Sequence, residues 1–206
     1  RIYGGQSFYE RKEIKDIIAY LRVVVNPGDD TSLSRIINTP KRGIGDTTIS
    51  RMEHEAHRIG EPLFNIVMEA DNIEDIGRVS EFASLMQLLV TYNEVMELDE
   101  LVKRVVDETG LRQQYVNEGT EEAISRVQNI DEFLGAAQEF YKDGKGGLND
   151  FLDSITLQSA ADDMEEDSGL VTVTTIHAAK GLEFDTVFLV GMENSLFPSN
   201  KALFDT

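Results

Sequence analysis

The sequence predicts a mainly α fold, in which an all-helical block is bracketed by two short pieces of α/β character. Three observations support this: apolar residues recur at helical spacing through residues 12–157, an acidic run at 162–167 ends that pattern, and strand-like apolar runs follow it. Neither bracket is long enough to form a sheet domain alone. We therefore expect residues 1–24 and 168–206 to belong to one incomplete α/β domain, with residues 25–167 as a helical insertion in it.

Composition limits the class of protein before any motif is considered. The 206 residues are 41% apolar and 28% charged, which is enough to bury a real core. We expect no membrane span and no secretion signal, because no long apolar run and no basic-then-apolar leader occurs. The chain has no cysteine, which excludes thiolate chemistry and cysteine-ligated metals. A cytoplasmic location fits this composition.

The first third of the chain contains several predicted elements. Residues 1–9 read as a short strand that leads into a loop at Gly4-Gly5. A helix follows and stops at Asn26-Pro27-Gly28, and its apolar face is formed by Ile14, Ile17, Ile18, Leu21 and Val25. Ser32 is predicted to cap a short segment that Thr39-Pro40 breaks. Asp46 or Thr47 is predicted to cap the next helix, which ends at Gly60.

The rest of the block repeats this helical pattern, and the pattern then changes. Further amphipathic stretches cover residues 62–69, 77–96, 100–109, 121–142 and 148–157. After the acidic run, Val171, Val173 and Thr175 alternate with other residues as in a strand. Residues 186–190 form a continuous apolar run, which is typical of a parallel strand buried on both faces.

Charge is distributed unevenly along the chain. The net charge of −19 argues against a nucleic-acid partner, because phosphate binding needs a basic surface. Residues 1–60, however, hold ten basic and eight acidic side chains, whereas residues 61–206 hold nine basic and thirty acidic ones. Any site for a polyanion is therefore expected near the amino end or on a small surface elsewhere.

A Gly-Ile-Gly segment lies in the one net-basic part of the chain. Two glycines around an apolar residue allow a tight hairpin with Ile44 anchored between helices, and Gly45 is expected to adopt a positive φ. Free amides at the start of the following helix, together with its dipole, would attract a phosphate backbone. Lys41 and Arg42 place two positive charges beside it. The alternative is a helix-to-helix turn whose glycines serve geometry alone.

A second segment, Thr-Thr-Ile-His-Ala-Ala-Lys-Gly-Leu-Glu-Phe at residues 174–184, lies between two predicted strands. Gly181 permits a positive φ, so that backbone amides can approach phosphate or sugar oxygens. The alternative is an ordinary loop between strands. Taken with Val-Phe-Leu-Val-Gly-Met-Glu at 187–193 and Leu-Phe-Pro at 196–198, the segment closely resembles motif V of superfamily 1 DNA helicases of the UvrD, Rep and PcrA type.

Two more segments resemble this family in the same order along the chain, residues 2–22 and residues 35–48. The resemblance implies a fragment of a longer helicase. It would comprise the insertion called domain 2B and the flanking parts of the second RecA-like domain, a P-loop NTPase fold. The parent protein is then expected to be an ATP-dependent 3′–5′ helicase that unwinds DNA in repair and replication.

The resemblance also implies roles for individual residues. Nucleotide binding and coupling fall to Lys180, Gly181, Glu183 and Arg11. Single-stranded DNA would meet Thr175, His177, Gly4 and Gly5. Duplex DNA would meet Lys41, Arg42, Gly43, Ile44, Gly45 and Thr47. ATP and Mg²⁺ are expected as cofactors of the full-length parent and not of this fragment.

Several features set limits on this interpretation. No Gly-x-x-x-x-Gly-Lys-Ser/Thr occurs, so we expect the chain alone to hold no catalytic residue and to hydrolyse no ATP. His54 and His57 lack the spacing of a zinc site, and no metal is expected.

The rival hypothesis is an acidic helical module, regulatory in role, that binds a protein partner, since residues 61–206 carry a net charge of −21. An exposed cluster of Lys41, Arg42, Arg51 and Arg58 would favour DNA. Ion pairs that bury these charges would favour the interaction module.

Overall fold

The computed structural model describes residues 2–3, 8–69, 77–164, 173–174, 179 and 183–192. The chain divides into two compact units. The helical unit spans Gln6–Glu166, and the terminal unit is formed by Arg1–Gly5 together with Asp167–Thr206.

The described part of the helical unit is built from α-helices, which confirms the prediction of a mainly α fold. A single 3₁₀ turn, Phe8–Glu10, precedes them. The helices are α1 Lys12–Val25, α2 Asp30–Ile36, α3 Asp46–Ile59, α4 Leu63–Met68, α5 Gly77–Val95, α6 Leu98–Thr109, α7 Leu111–Glu118, α8 Glu121–Lys142 and α9 Leu148–Met164. Of these, only α7 lies outside the stretches that the sequence predicts. None of the described helices is long and apolar enough to cross a membrane.

Helix α1 lies at the centre of the helical unit, where it contacts α2, α5, α6, α8 and α9. Ile14, Ile17, Tyr20 and Leu21 are fully buried, and burial of each such side chain contributes about 1.5–3 kcal/mol. The chain passes from one compact unit to the other between Gly5 and Gln6, and the predicted domain boundary after residue 24 stays a prediction. The identity of the two units as a 2B insertion and part of a RecA-like domain stays a prediction.

The predicted helix ends are close to the observed ones, but two of the caps differ. Asp29, and not Ser32, caps α2, because its carboxylate accepts the Ser32 amide at 3.0 Å. Gly45 occupies the cap position of α3, so Asp46 and Thr47 lie inside the first turn. The ends of α1 at Val25 and of α3 at Gly60 are as predicted.

The terminal unit contains one described strand pair. β1 Ile2–Tyr3 and β2 Val173–Thr174 run parallel, with Ile2 opposite Val173. The predicted strand at residues 186–190 is absent from the described residues 183–192, where Phe188 is 86% and Val190 87% exposed. A strand buried on both faces needs neighbouring strands and covering helices, and the described part of this unit supplies only a two-residue pair.

Candidate nucleic-acid interface

The connection between α2 and α3 forms a hairpin at residues 41–45, called the Gly hairpin below. Ile44 is only 2% exposed and belongs to the hydrophobic core, as the sequence predicts. Lys41, Gly43 and Gly45 are exposed on either side of it. The buried isoleucine therefore fixes the hairpin to the helices while its neighbours face solvent.

The two glycines of the Gly hairpin have different roles. Gly43 has a φ of +74°, a conformation that L-residues adopt only with strain. Gly45 has a φ of −80°, which any residue can adopt, so the expected positive φ at Gly45 is wrong. A Cβ on Gly45 would meet nothing within 4 Å. Gly43 thus shapes the hairpin, whereas Gly45 leaves open space beside the start of α3.

Arg42 is half-buried, and its side chain is hydrogen-bonded within the protein. Its guanidinium donates four hydrogen bonds of 2.6–3.4 Å, to the carbonyls of Ile36, Pro40 and Thr109 and to the hydroxyl of Tyr20. It also lies 5.3 Å from the centroid of the Phe82 ring. Four of its five N–H groups are thereby used within the protein, so the geometry does not match the phosphate contact that the sequence predicts for Arg42.

Tyr20 completes this internal network. Its hydroxyl accepts from Arg42 and donates to the carbonyl of Thr39 at 2.7 Å. Burial raises the pKa of Tyr20 well above that of a free phenol, despite the opposing effect of Arg42. The phenol therefore stays protonated and keeps its role as a donor. Through Arg42 and Tyr20, the Gly hairpin is linked to α1 and to the end of α6.

The other predicted cations have different surroundings. Lys41 and Arg51 are exposed and make no ion pair with any described residue. Arg58 pairs with Glu55 one turn away, and this hydrogen bond lowers the pKa of Glu55. Of the four cations, two are exposed without an ion pair to a described residue, one is paired on the surface, and one is hydrogen-bonded within the protein.

The first turn of α3 adds backbone donors. Its cap residue, Gly45, has no side chain to accept from the first amides of the helix. The Thr48 amide donates to the Gly45 carbonyl at 3.0 Å. The amides before it, those of Asp46 and Thr47, have no acceptor inside the helix, so they are available to an anion. Thr47 is exposed at this end, and Asp46 brings a negative charge that competes for the same amides. Asp46, Thr47, Ser50, Arg51, His54 and Glu55 line a shallow depression along this face of α3.

The predicted nucleotide-coupling residue Arg11 lies elsewhere in the helical unit. Its guanidinium binds the side-chain oxygen of Asn129 on α8 and lies 5.3 Å from the centroid of the Phe8 ring. Asn129 in turn donates to Glu13 at 2.6 Å. Arg11 therefore ties the 3₁₀ turn to α8, and its predicted role in nucleotide coupling stays a prediction.

The remaining predicted residues belong to the terminal unit. Gly4, Gly5, Thr175, His177, Lys180 and Gly181 lie outside the described residues. Glu183 is described and is exposed, in a segment without helix or strand. The described residues of this unit thus bring no predicted nucleotide-binding or single-strand-binding groups together.

One residue at the Gly hairpin was not predicted from the sequence. Arg78, in the first turn of α5, donates to the carbonyl of Arg42 at 3.4 Å. No local pattern could have indicated this contact, since the two residues are 36 positions apart and belong to different helical elements. The fold alone adds this cation to the surface.

The helical unit thus presents a basic hairpin on an otherwise acidic chain, and a family of helicases matches this sequence. The sequence matches the UvrD-like helicase C-terminal domain over residues 1–203, and the chain is a member of this family.

Individual relatives agree with this family assignment. The chain is 40% identical over 207 residues to the ATP-dependent DNA helicase PcrA of Staphylococcus aureus strain NCTC 8325 / PS 47. It is 39% identical over 207 residues to the ATP-dependent DNA helicase PcrA of Staphylococcus epidermidis strain ATCC 12228 / FDA PCI 1200. Each alignment covers 97% of this chain and 28% of the relative, so the chain spans just over a quarter of the length of these relatives.

Proposed function

We propose that this chain is the part of an ATP-dependent DNA helicase that grips duplex DNA, and that the Gly hairpin is the grip. Membership of the UvrD-like family and the relatives named as DNA helicases support the class. The observation that carries the proposal is the surface at the hairpin: Lys41 is exposed and unpaired among the described residues, beside the uncapped start of α3.

The proposed contact is with phosphates and not with bases. Lys41 supplies a charge, the first amides of α3 supply donors, and Thr47 supplies a hydroxyl. Such groups position a protein on DNA without reading its sequence. The open space at Gly45 lets the DNA backbone approach closely, because no side chain projects there.

The terminal unit is proposed to couple nucleotide to the single strand. By family resemblance, Thr175, His177, Gly4 and Gly5 meet single-stranded DNA, and Lys180, Gly181 and Glu183 respond to ATP. The described residues do not by themselves form a site for ATP or Mg²⁺, since Glu183 stands exposed and the sequence has no phosphate loop. The groups that hold the β and γ phosphates are accordingly expected in other parts of a whole helicase.

The rival function, binding of a basic protein by the acidic helices, also has an observation in its favour. Glu121, Glu122, Glu132 and Glu139 are exposed on α8. Such a surface repels phosphate and attracts cationic partners. The two functions use different faces and opposite charges, so one titration separates them.

Fluorescence anisotropy of a labelled duplex, titrated with the 206-residue chain at several salt concentrations, tests the proposal. With two or three phosphates neutralised, the slope of log affinity against log salt should be about −2 to −3, with a dissociation constant near 10⁻⁴ M or weaker. Lys41→Ala should flatten the slope by about one unit.

Lys103→Ala is the matched control, because Lys103 is an exposed lysine on α6 and its loss changes the net charge equally. It should leave the slope unchanged. If the parent binds no duplex at low salt, or if Lys41→Ala and Lys103→Ala behave alike, the hairpin is a structural turn and the interaction module is the better hypothesis.

A further inference from the structure

Arg78 crosses the Gly hairpin directly over Gly43. A Cβ built on Gly43 would lie 1.5 Å from Nη1 of Arg78 and 2.7 Å from its Cζ. No side chain can occupy that space while Arg78 keeps its position. The glycine thus serves two purposes, since it adopts a positive φ and also leaves a path for an arginine from another helix.

The charge of Arg78 is not neutralised within the described structure. Arg78 is exposed, and its one described hydrogen bond, to the carbonyl of Arg42, uses a single N–H of the five that a guanidinium carries. Glu81, three residues further along α5, makes no ion pair with it. The remaining donors can therefore serve a partner from solution.

We propose that Arg78 is a phosphate-binding residue of the duplex grip, acting with Lys41 across the exposed backbone of Gly43. This inference rests on the proposed function of the hairpin. Arg78 would take the phosphate-binding role that the sequence predicts for Arg42, whose donors are used within the protein. A guanidinium is suited to the task, because its planar fork can give two parallel hydrogen bonds to one phosphate.

Because Arg78 also donates a hydrogen bond to the carbonyl of Arg42, it could support the hairpin structurally. The test must separate this structural role from phosphate binding. Arg78→Gln keeps a donor near the carbonyl of Arg42 but removes the charge. Arg78→Lys keeps the charge but removes the two parallel N–H donors of the guanidinium. Arg22→Ala is the matched control, since Arg22 is an exposed arginine on α1 with no ion pair among the described residues.

The experiment is the salt titration of duplex binding by the 206-residue chain and these three variants. Arg78→Gln should flatten the slope of log affinity against log salt by about one unit, Arg78→Lys should retain the slope, and Arg22→Ala should behave as the parent. The double variant Lys41→Ala/Arg78→Gln should lose about two units, because each residue neutralises its own phosphate. Circular dichroism should show the parent's helix content in every variant.

Two results would overturn the inference, and they are distinguishable. If Lys41→Ala flattens the slope and Arg78→Gln does not, the hairpin binds duplex DNA and Arg78 only supports it. If neither variant changes the slope, or if the parent does not bind duplex at all, the proposed grip itself fails together with the role of Arg78.

Discussion

Two adjacent cations, Lys41 and Arg42, have different surroundings, and their surroundings decide what each can do. Lys41 is exposed, whereas the guanidinium of Arg42 hydrogen-bonds to three carbonyls and a phenol. An arginine whose donors are used inside the protein contributes to stability, and a lysine in solvent is available to a partner. Sequence spacing cannot separate the two, because the difference arises from α1, α5 and α6 closing around the second cation.

Arg42→Ala is expected to destabilise the fold by about 2–3 kcal/mol, because the part-buried carbonyls of Pro40 and Thr109 and the hydroxyl of Tyr20 lose a donor. The salt slope of duplex binding should remain that of the parent. Urea unfolding followed by circular dichroism measures the first quantity and anisotropy the second. Arg22→Ala, a surface arginine, should change stability by no more than about 0.5 kcal/mol. If Arg42→Ala flattens the salt slope and keeps the stability of the parent, Arg42 contacts a DNA phosphate and the internal role assigned to it is wrong.

The two glycines of the Gly hairpin offer a matched pair of substitutions. Gly43→Ala should cost about 1–2 kcal/mol of unfolding free energy from its positive φ, with an added cost from displacing Arg78. Gly45→Ala should change stability by less than about 1 kcal/mol, since its φ is ordinary and its surroundings are open, and the loss of glycine's preference at a helix cap is offset by the lower entropy of the unfolded chain. Thermal unfolding of both variants checks this, and equal melting temperatures would contradict the assignment of roles.

At the scale of elements, α1 organises the helical unit and also carries two buried acidic residues, Glu13 and Asp16. Asp16 is 2% exposed and accepts from Arg35 on α2, with Nε at 2.8 Å and Nη2 at 2.7 Å. Burial raises the pKa of Asp16 above its ordinary value of 3.8, although Arg35 opposes this. The ion pair is therefore needed mainly because the carboxylate is buried.

Arg35→Met should leave that carboxylate without its cation. Breaking a buried pair costs about 3–5 kcal/mol, and solvent screening of the partly exposed Arg35 reduces this to about 2 kcal/mol near neutral pH. Where a carboxyl has a raised pKa in the folded state, the folded state binds more protons, so its stability falls as the pH rises from 3.8 through that raised pKa. The variant should consequently approach the parent in stability as the pH is lowered toward 4.

Urea unfolding of both proteins between pH 4 and pH 8 measures this difference. Asp16→Asn/Arg35→Met is the control, because it removes the titrating group and its difference from the parent should lose most of this trend. A stability difference between Arg35→Met and the parent that grows as the pH falls would contradict the account.

The spacing of apolar residues predicts a helix of this chain well where one face of the helix is buried in the core, and poorly where few of its side chains are buried. The apolar spacing of Ile14, Ile17 and Leu21 predicts α1, because those side chains do form the core. Helix α7 has only Leu111 and Tyr115 buried, so its periodic signal is weak. The cap of α2 depends on a choice between Asp29 and Ser32 that composition does not decide. The contact of Arg78 with the hairpin is tertiary and has no local signal.

The apolar run at residues 186–190 illustrates the opposite case. Its composition predicts a strand buried on both faces, yet Val187 and Phe188 are exposed in the structure. An apolar run indicates that its side chains are to be buried, but it does not supply the strands and helices that would cover them. The prediction was wrong for the described residues because they provide no such elements.

At the scale of the whole molecule, charge asymmetry and the hairpin act together. The chain carries −19 overall, and the surplus of acidic residues lies after residue 60. Phosphates should be repelled by α6 and α8 and attracted to the surface around Lys41. This charge distribution predicts weak duplex binding in one orientation with a modest salt dependence, in keeping with a grip that positions DNA for other parts of a helicase.

Amide hydrogen exchange at low salt, with and without saturating duplex DNA, tests the role of the Gly hairpin as the duplex grip, because it locates the contact on the 206-residue chain. If the Gly hairpin and Arg78 bind duplex DNA, exchange should slow in residues 41–51 and around Arg78 when DNA is present, with no change in α6 and α8. Unchanged exchange in residues 41–51, or new protection confined to the acidic helices, would contradict it.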